Sequence, residues 1–270
     1  MSPETRIAVL MSLQLAASAA LAAGATGAAA DLAPTGTLRA TYIGSNPVQA
    51  IVDPATGETR GPAMALTAGL AKRAGVAMTI SAAANVQAVI DSVRNGTADI
   101  GFVAYDAARA EQVDFSQTYA LAQNTYLVTD KSPIRAVADV DRAGTHVGVT
   151  ARDAGDTYLT RTLKAATLTR SESGIDAQLL KSLQTGGVQA IAGNRMRLTA
   201  IAKATPGLRV VVDNFYGVEQ AIIVSKGNAA RLTLVNQFID EARSSGLIAD
   251  SIARAGLVGA DVAPPGIRAK

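Results

Sequence analysis

Short apolar runs of strand length alternate along this chain with stretches whose apolar residues recur at helical spacing. That alternation restricts the fold more than any other feature. Gly36 to Tyr42 alternates like a first strand, and Ala77 to Ser81 is suited to a second. Between them Met64, Leu66, Leu70 and Ala71 fall at near-helical spacing up to Gly75, where a helix should stop, and Met64 reads as core filler. Asp53 to Gly57 has turn composition and reads as a hairpin tip. Val86, Val89, Ile90 and Val93 mark another helix ending at Asn95-Gly96, and Ile100 to Ala104 is an apolar run of strand length. Strands connected through helices predict a mostly parallel sheet with helices on its faces.

Ligands of open α/β sheets lie beyond the carboxyl ends of the strands, so the residues at those exits are the candidates for function. The first exit is Tyr42 followed by Ile43-Gly44-Ser45-Asn46-Pro47; the next carries Tyr105 and Asp106, then Arg109. A guanidinium can clamp a carboxylate through two parallel hydrogen bonds. The alternative for Arg109 is a surface pair with Glu111, which would contribute little.

The second half of the chain repeats the alternation. His146 to Thr150 is a strand, and Ala151-Arg152-Asp153 opens a helix with Leu159 and Leu163 on one face. Ile175, Leu179, Leu180 and Leu183 form another helix ending at Gly186-Gly187, before the strand Val188 to Ala192 with Gly193-Asn194 at its exit. Leu208 to Asp213 and Gln220 to Ser225 read as strands. A helix carrying Leu232, Val235, Phe238, Ile239 and Ala242 follows, Gly246 to Ala255 reads as a closing helix, and Ala263 to Lys270 reads as frayed.

Gly96-x-x-Asp99, a strand, Arg109, then Val113-Asp114-Phe115-Ser116-x-x-Tyr119 and Tyr126-Leu127-Val128 together resemble the solute-binding proteins of bacterial ABC importers, the polar amino-acid-binding family 3. The resemblance implies a two-lobed α/β fold, the periplasmic-binding-protein type 2 fold. Each lobe would be a mostly parallel sheet with helices on both faces, the two joined by two crossover strands. Residues 31–125 and 219–270 would form lobe one and residues 126–218 lobe two. It further implies a monomer that captures a small carboxylate-bearing solute by hinge closure and delivers it to an inner-membrane permease. Arg109 takes the place of the arginine that holds the solute's carboxylate.

Departures from the family pattern are as informative as the matches. Pro47-Val48 lacks the aromatic that covers the solute, leaving Tyr42 or Tyr105 as substitutes, or as structural tyrosines. Asp106 stands where a threonine is usual, in a connection two residues shorter. It either orients Arg109, faces the solute, or caps the following helix. Arg152 and Asp153 stand where glycine and threonine are usual; Asp153 can cap its helix, and Arg152 can offer a second cationic contact. Asn194 replaces the aspartate that receives an α-ammonium group, and Gln189 replaces another aspartate. An acid without an ammonium group, or one whose amine meets Asp106 or Asp153, fits as well as an ordinary amino acid. Some dehydratases of cyclic acids also resemble these proteins, so an enzyme on this scaffold, or a receptor serving a sensor, are the alternatives to transport.

Composition narrows the remaining classes. Net charge is +3, Trp is absent, and no run of Lys or Arg marks a nucleic-acid surface, so nucleic acid is not an expected partner. With no cysteine and His146 the one histidine, an ordinary zinc site is not expected, nor any other cofactor, and His146 reads as structural. Arg6, an apolar stretch from Ile7 to Ala23 and the small residues Ala28-Ala29-Ala30 before Asp31 read as a cleaved export signal over residues 1–30. A periplasmic location follows, folded without disulfides or a cysteine-linked lipid.

Overall fold

The computed structural model describes residue 27 and residues 29–267; the export signal expected over 1–30 lies mostly outside the described residues. Over these the chain divides into two compact units. The first runs to Gln117 and includes Ala221–Ser251 and the residues from Pro265; the second comprises Thr118–Gln220 and Ile252–Pro264.

In the first unit β1 (Thr37–Ile43) lies parallel to both β4 (Ala77–Ala83) and β5 (Ile100–Ala104), with Thr37 opposite Ala77 and Ala40 opposite Ile100. The hairpin of β2 (Ile51–Val52) and β3 (Thr59–Arg60) turns where Asp53 Oδ1 accepts from the N–H groups of Ala55 and Thr56. Helix α1 (Pro62–Ala74) begins with Pro at its first turn, where no intrahelical N–H partner is lost. It ends at Gly75, whose φ of 68° is left-handed and inexpensive only for glycine. Its Leu66, Leu70 and Ala71 are buried, whereas Met64 is only half-buried. Helix α2 (Val86–Arg94) is capped by Asn85, which accepts from Ala88 N at 2.9 Å, and packs Val89, Ile90 and Val93 against Val103 of β5. The short α3 (Ala107–Ala110) and β6 (Val113–Phe115) follow, and α7 (Ala229–Ser244) buries Val235, Phe238 and Ile239.

One buried carboxylate fastens this unit. Asp99, 1% exposed at the head of β5, accepts from Arg39 Nε at 3.0 Å and Nη2 at 2.7 Å, and from the Arg39 backbone N at 2.9 Å. Arg231 of α7 stands 3.9 Å from the same carboxylate and donates to the Asp99 carbonyl at 3.1 Å and to that of Asp31 at 2.7 Å.

The second unit is a mixed sheet. Its β8 (His146–Thr150) runs parallel to β9 (Thr167–Ser171) and β10 (Ala190–Asn194), while β7 (Ala120–Thr129) is antiparallel to β10, β11 (Leu208–Val210), β13 (Ala260–Val262) and the first half of β12 (Tyr216–Ser225). Period-two alternation separates two cores. Tyr126, Val128, Ala190 and Ala192 join Val147, Val149 and Leu159 of α4 (Ala154–Thr162) on one face. Leu127 and Ile191 join Leu179 and Leu183 of α5 (Ala177–Thr185) and Leu198 of α6 (Arg195–Ala204) on the other. At the heads of β8 and β10, Gln189 Oε1 accepts from His146 N at 2.7 Å and Gln189 N donates to His146 O at 2.8 Å. Asp99 makes the same two backbone contacts with Arg39, so the position holding an aspartate in one unit holds a neutral amide in the other.

Several expectations are corrected. The strand from Leu208 stops at Val210: beyond it the carbonyls of Val211, Val212 and Asp213 accept from Arg195 Nη2 at 2.8–3.0 Å, and those of Val211 and Asp213 also from the Thr125 hydroxyl of β7, in place of a continued backbone ladder. Helix α8 (Leu247–Arg254) forms as expected, but Ile252–Pro264 groups with the second unit, since β13 pairs with β7 from Ala260 opposite Ala122. The chain first passes between units at residues 117 and 118, where the start of β7 pairs with β12 and β13. Ala263 is buried and donates to Tyr119 O at 3.1 Å, so it is not frayed.

Removing Asp99 leaves two guanidiniums without their shared partner, so Asp99→Ala is expected to lower stability by about 3 to 5 kcal/mol, read from the urea unfolding midpoint. A Cβ on Gly101 of β5 would sit 2.7 Å from Val89 Cγ1 and 3.0 Å from Ile223 Cγ1. Both are stiff β-branched walls, and Gly101→Ala should cost about 1 to 3 kcal/mol by overpacking in the same measurement.

Candidate functional site

Each unit presents a polar cluster at the carboxyl ends of its parallel strands. In the first, β5 delivers Tyr105, Asp106 and Arg109. Asp106 is exposed and caps α3, its Oδ1 accepting from Ala108 N at 3.0 Å and Arg109 N at 3.2 Å. This is the capping role of the three considered for it, and the cap fixes where Arg109 begins. Arg109 is half-buried and its Nη1 donates to Ala104 O at 2.8 Å. It forms no ion pair among the described residues, so the surface pair with Glu111 is not made. A guanidinium has five donors, and most of these remain available to an anion.

Tyr105 is half-buried and meets Phe115 edge-on, with centroids 5.2 Å apart at 78°. Tyr42, by contrast, is 2% exposed within β1. Its side chain is buried in the core, so Tyr105 is the tyrosine of the two that keeps an accessible face. Ser45 is exposed in the turn after β1 and its hydroxyl carries no hydrogen bond among the described residues.

The second cluster stands at the ends of β8, β9 and β10. Arg152 adopts φ 64°, left-handed for a non-glycine residue, and donates through Nη2 to Glu172 Oε2 at 2.6 Å on the exposed surface. Asp153 caps α4, accepting from Asp156 N at 2.7 Å. Burial raises its pKa, and the nearby Asp156 charge adds to this; the N–H groups of Asp156 and Gly155 and the charge of Arg197 act in the opposite sense. Asp156 behaves differently. Burial opposes its ionisation, yet the Arg170 guanidinium at 2.9 Å, the Arg152 N–H and the Thr160 hydroxyl hold it below its ordinary value.

Asn194 caps α6, its Oδ1 accepting from Met196 N at 3.0 Å and Arg197 N at 3.4 Å. The two strand exits therefore share one local design: a capping oxygen at the exit and an arginine three residues later, Asp106 with Arg109 and Asn194 with Arg197. Sequence reading missed Arg197, although the repeated cap-x-x-Arg spacing was the signal that could have found it. Also missed was an aromatic group flanking α4. Tyr158 stacks on Tyr216 with centroids 4.6 Å apart at 17°, and Phe215 bridges Tyr158 and Tyr126 at 5.8 and 4.7 Å. Phe215 and Asp153 both approach the position a Cβ would take on Gly155, at 3.8 and 3.2 Å, so the ring lies beside the helix amino terminus. His146 is exposed at the head of β8 with Nδ1 2.8 Å from Thr167 Oγ1, away from these exits.

This α/β architecture is the type 2 periplasmic-binding-protein fold. The sequence model for bacterial extracellular solute-binding proteins, family 3, matches residues 38–254, and the chain belongs to that family. No curated protein matches the chain significantly in sequence. Among solved structures, it is similar to an ancestral cationic amino-acid solute-binding protein, with 21% identity and a TM-score of 0.62 over 84% of this chain and 98% of the other. An ancestral cyclohexadienyl dehydratase gives 22% identity and a TM-score of 0.59 over 85% and 96%. An amino-acid ABC transporter substrate-binding protein from Streptococcus pneumoniae, bound to L-arginine, gives 20% identity and a TM-score of 0.56 over 83% and 96%.

Because Asp153 binds its proton more tightly in the folded chain, its contribution to stability is greatest below the unfolded carboxylate pKa and is lost as pH rises through the folded value. Asn caps as well as Asp without the buried charge. Asp153→Asn is therefore expected to be at least as stable as the wild type at pH 7, with any advantage shrinking on acidification. Asp153→Ala should lose about 1 kcal/mol through the missing cap. Urea titrations of the three proteins across pH 3.5 to 7, roughly the window spanned by carboxylate pKa values, check the ordering.

Proposed function

We propose that this protein captures a small carboxylate-bearing solute outside the cytoplasm, by hinge closure, and delivers it to an ABC importer. The observation that carries the reading is Arg109, a half-buried guanidinium at a strand exit with a single backbone hydrogen bond and no carboxylate partner among the described residues. On this reading the solute's carboxylate meets Arg109 first. The loop of Asp153 and the side chain of Asn194 then close over it, excluding water and so strengthening the charged hydrogen bonds. Arg152, whose exposed side chain pairs with Glu172, is the second cationic contact in this reading, since a surface pair of that kind is readily exchanged for a solute.

Asn194 offers a neutral amide whose Oδ1 already accepts two backbone N–H groups. An α-ammonium group would therefore find no charged acceptor there, which favours an acid without one, or one whose amine meets Asp106 or Asp153. Residence in the periplasm, loss of residues 1–30 on export and action as a monomer complete the proposal, with the permease as partner and no cofactor.

A second reading rests on Asp153, whose raised pKa suits a general acid in a dehydratase acting on a cyclic acid. Incubation with prephenate-like acids distinguishes the two, since a binding protein returns the acid unchanged.

Arg109→Ala is expected to weaken solute binding by about 2 to 5 kcal/mol, as measured by calorimetry on the solute found in a thermal-shift screen of amino acids, small organic acids and amines. An unchanged affinity would remove Arg109 from the site.

A further inference from the structure

The amino-terminal ends of β8 and β10 carry a concave feature of their own within the second unit. A cleft of about 370 Å³ opens there, between the end of α5 and the segment that follows β7. Strand β8 is five residues long, so at about 3.3 Å per residue roughly 16 Å of strand separates this cleft from the carboxyl-end cluster of Arg152, Asp153 and Asn194. Its volume falls at the lower end of the range for small-molecule pockets, about 300 to 1,000 Å³.

The cleft has an apolar floor. Ile134, Leu183 and Val188 are buried side chains that line it, with Pro133 beside them. Several polar groups of the lining are already engaged by the protein. Gln189 Oε1 accepts from His146 N at 2.7 Å, and its Nε2 donates to Gly186 O at 2.9 Å. Ser132 Oγ accepts from Ile134 N at 3.2 Å, while the carbonyls of Ser132 and Ile134 accept from Arg209 Nη2 at 3.1 and 2.6 Å. The N–H groups of Gly186, Gly187 and Val188 cover the carbonyls of Ser182 and Leu183 at the end of α5.

Charge is not balanced in the same way. Lys131, Asp139 and Arg142 are the ionised groups on the lining. Asp139 accepts from Arg142 Nη2 at 2.5 Å and from the N–H groups of Arg135 and Ala136, both at 3.0 Å, so this carboxylate is taken up. Lys131 is exposed and makes neither an ion pair nor a hydrogen bond among the described residues. Arg142 is also exposed and gives Asp139 one of its five donors. Arg209, behind the carbonyls it holds, adds positive charge, and its Nε is buried without an acceptor among the described residues. Floor and rim therefore ask for different halves of one molecule.

We propose that this cleft is a second ligand site, for a small amphipathic anion whose carboxylate meets Lys131 and Arg142 and whose apolar body, of aromatic-ring size, lies on Ile134, Leu183 and Val188. Apolar area removed from water holds the body, and the cations at the rim prefer the acid to its neutral amide. The site lies within one unit and uses none of the residues on which the proposed function rests, so the two readings are tested apart.

The probes are 4-fluorobenzoate and its uncharged counterpart 4-fluorobenzamide, titrated against the protein with fluorine NMR for affinity and with methyl-labelled Ile, Leu and Val for location. The acid should bind and shift the methyl resonances of Ile134, Leu183 and Val188, and the amide should bind about 5- to 10-fold more weakly, the range for one partly exposed charge contact. Lys131→Glu should weaken the acid by at least about the same factor and leave the amide unchanged. Because Lys131 is exposed and unpaired among the described residues, that variant should unfold at the wild-type urea midpoint. Arg109→Ala should alter neither affinity. The inference is overturned if the three methyl groups do not respond at millimolar probe, if acid and amide bind equally, or if Lys131→Glu leaves the acid's affinity intact. Acid binding that disappears in Arg109→Ala overturns it too, and supports the proposed function instead.

Discussion

A single carboxylate with almost no solvent contact organises the first unit. Asp99 receives a two-pronged grip from Arg39, a backbone N–H from the same residue, and the proximity of Arg231 from α7. An isolated buried charge would be prohibitively costly, so Asp99 requires these partners, and they in turn fix the heads of β1 and β5 and the position of α7. With the heads fixed, the register of β1 against β4 and β5 sets where the strands end, and so where Asp106 and Arg109 emerge. Gln189 does the corresponding work in the second unit with an uncharged amide, joining the heads of β8 and β10. Architecture and site are therefore linked through strand length: clamp at one end, functional group at the other.

The three polar residues at the strand exits, Asp106, Asp153 and Asn194, all cap helices. The first backbone N–H groups of a helix lack intrahelical acceptors, and a short side chain with an oxygen is the usual remedy. That local demand explains why these residue types stand at these places without invoking a solute. It leaves Arg109 with guanidinium donors that no described residue takes up.

Much of the fold was legible because burial is periodic. The helices around Leu66 and Leu70, Val89 and Val93, and Leu179 and Leu183 declared themselves through apolar spacing, and Gly75 and Gly186 marked two of their ends. Elements without that signal were missed. Strand β9, Thr167–Ser171, is a largely exposed edge with a polar sequence, and β13 is a three-residue strand supported entirely by pairing with β7. Helix α6 buries only Leu198 fully, so its pattern is faint. The site was less legible than the fold, since pairings between residues distant in sequence decide what each group can do. Arg152 is engaged by Glu172, twenty residues away, while Tyr42 disappears into the sheet. Neither outcome is written in local spacing.

The central claim is that the Arg109 guanidinium grips a carboxylate. Its most direct test is to follow the arginine Nε–H resonances of 15N-labelled protein while titrating the acid that stabilises the fold. The account predicts that the Arg109 resonance shifts and saturates together with calorimetric binding. A resonance that stays in place through saturation, while the acid binds, would contradict it.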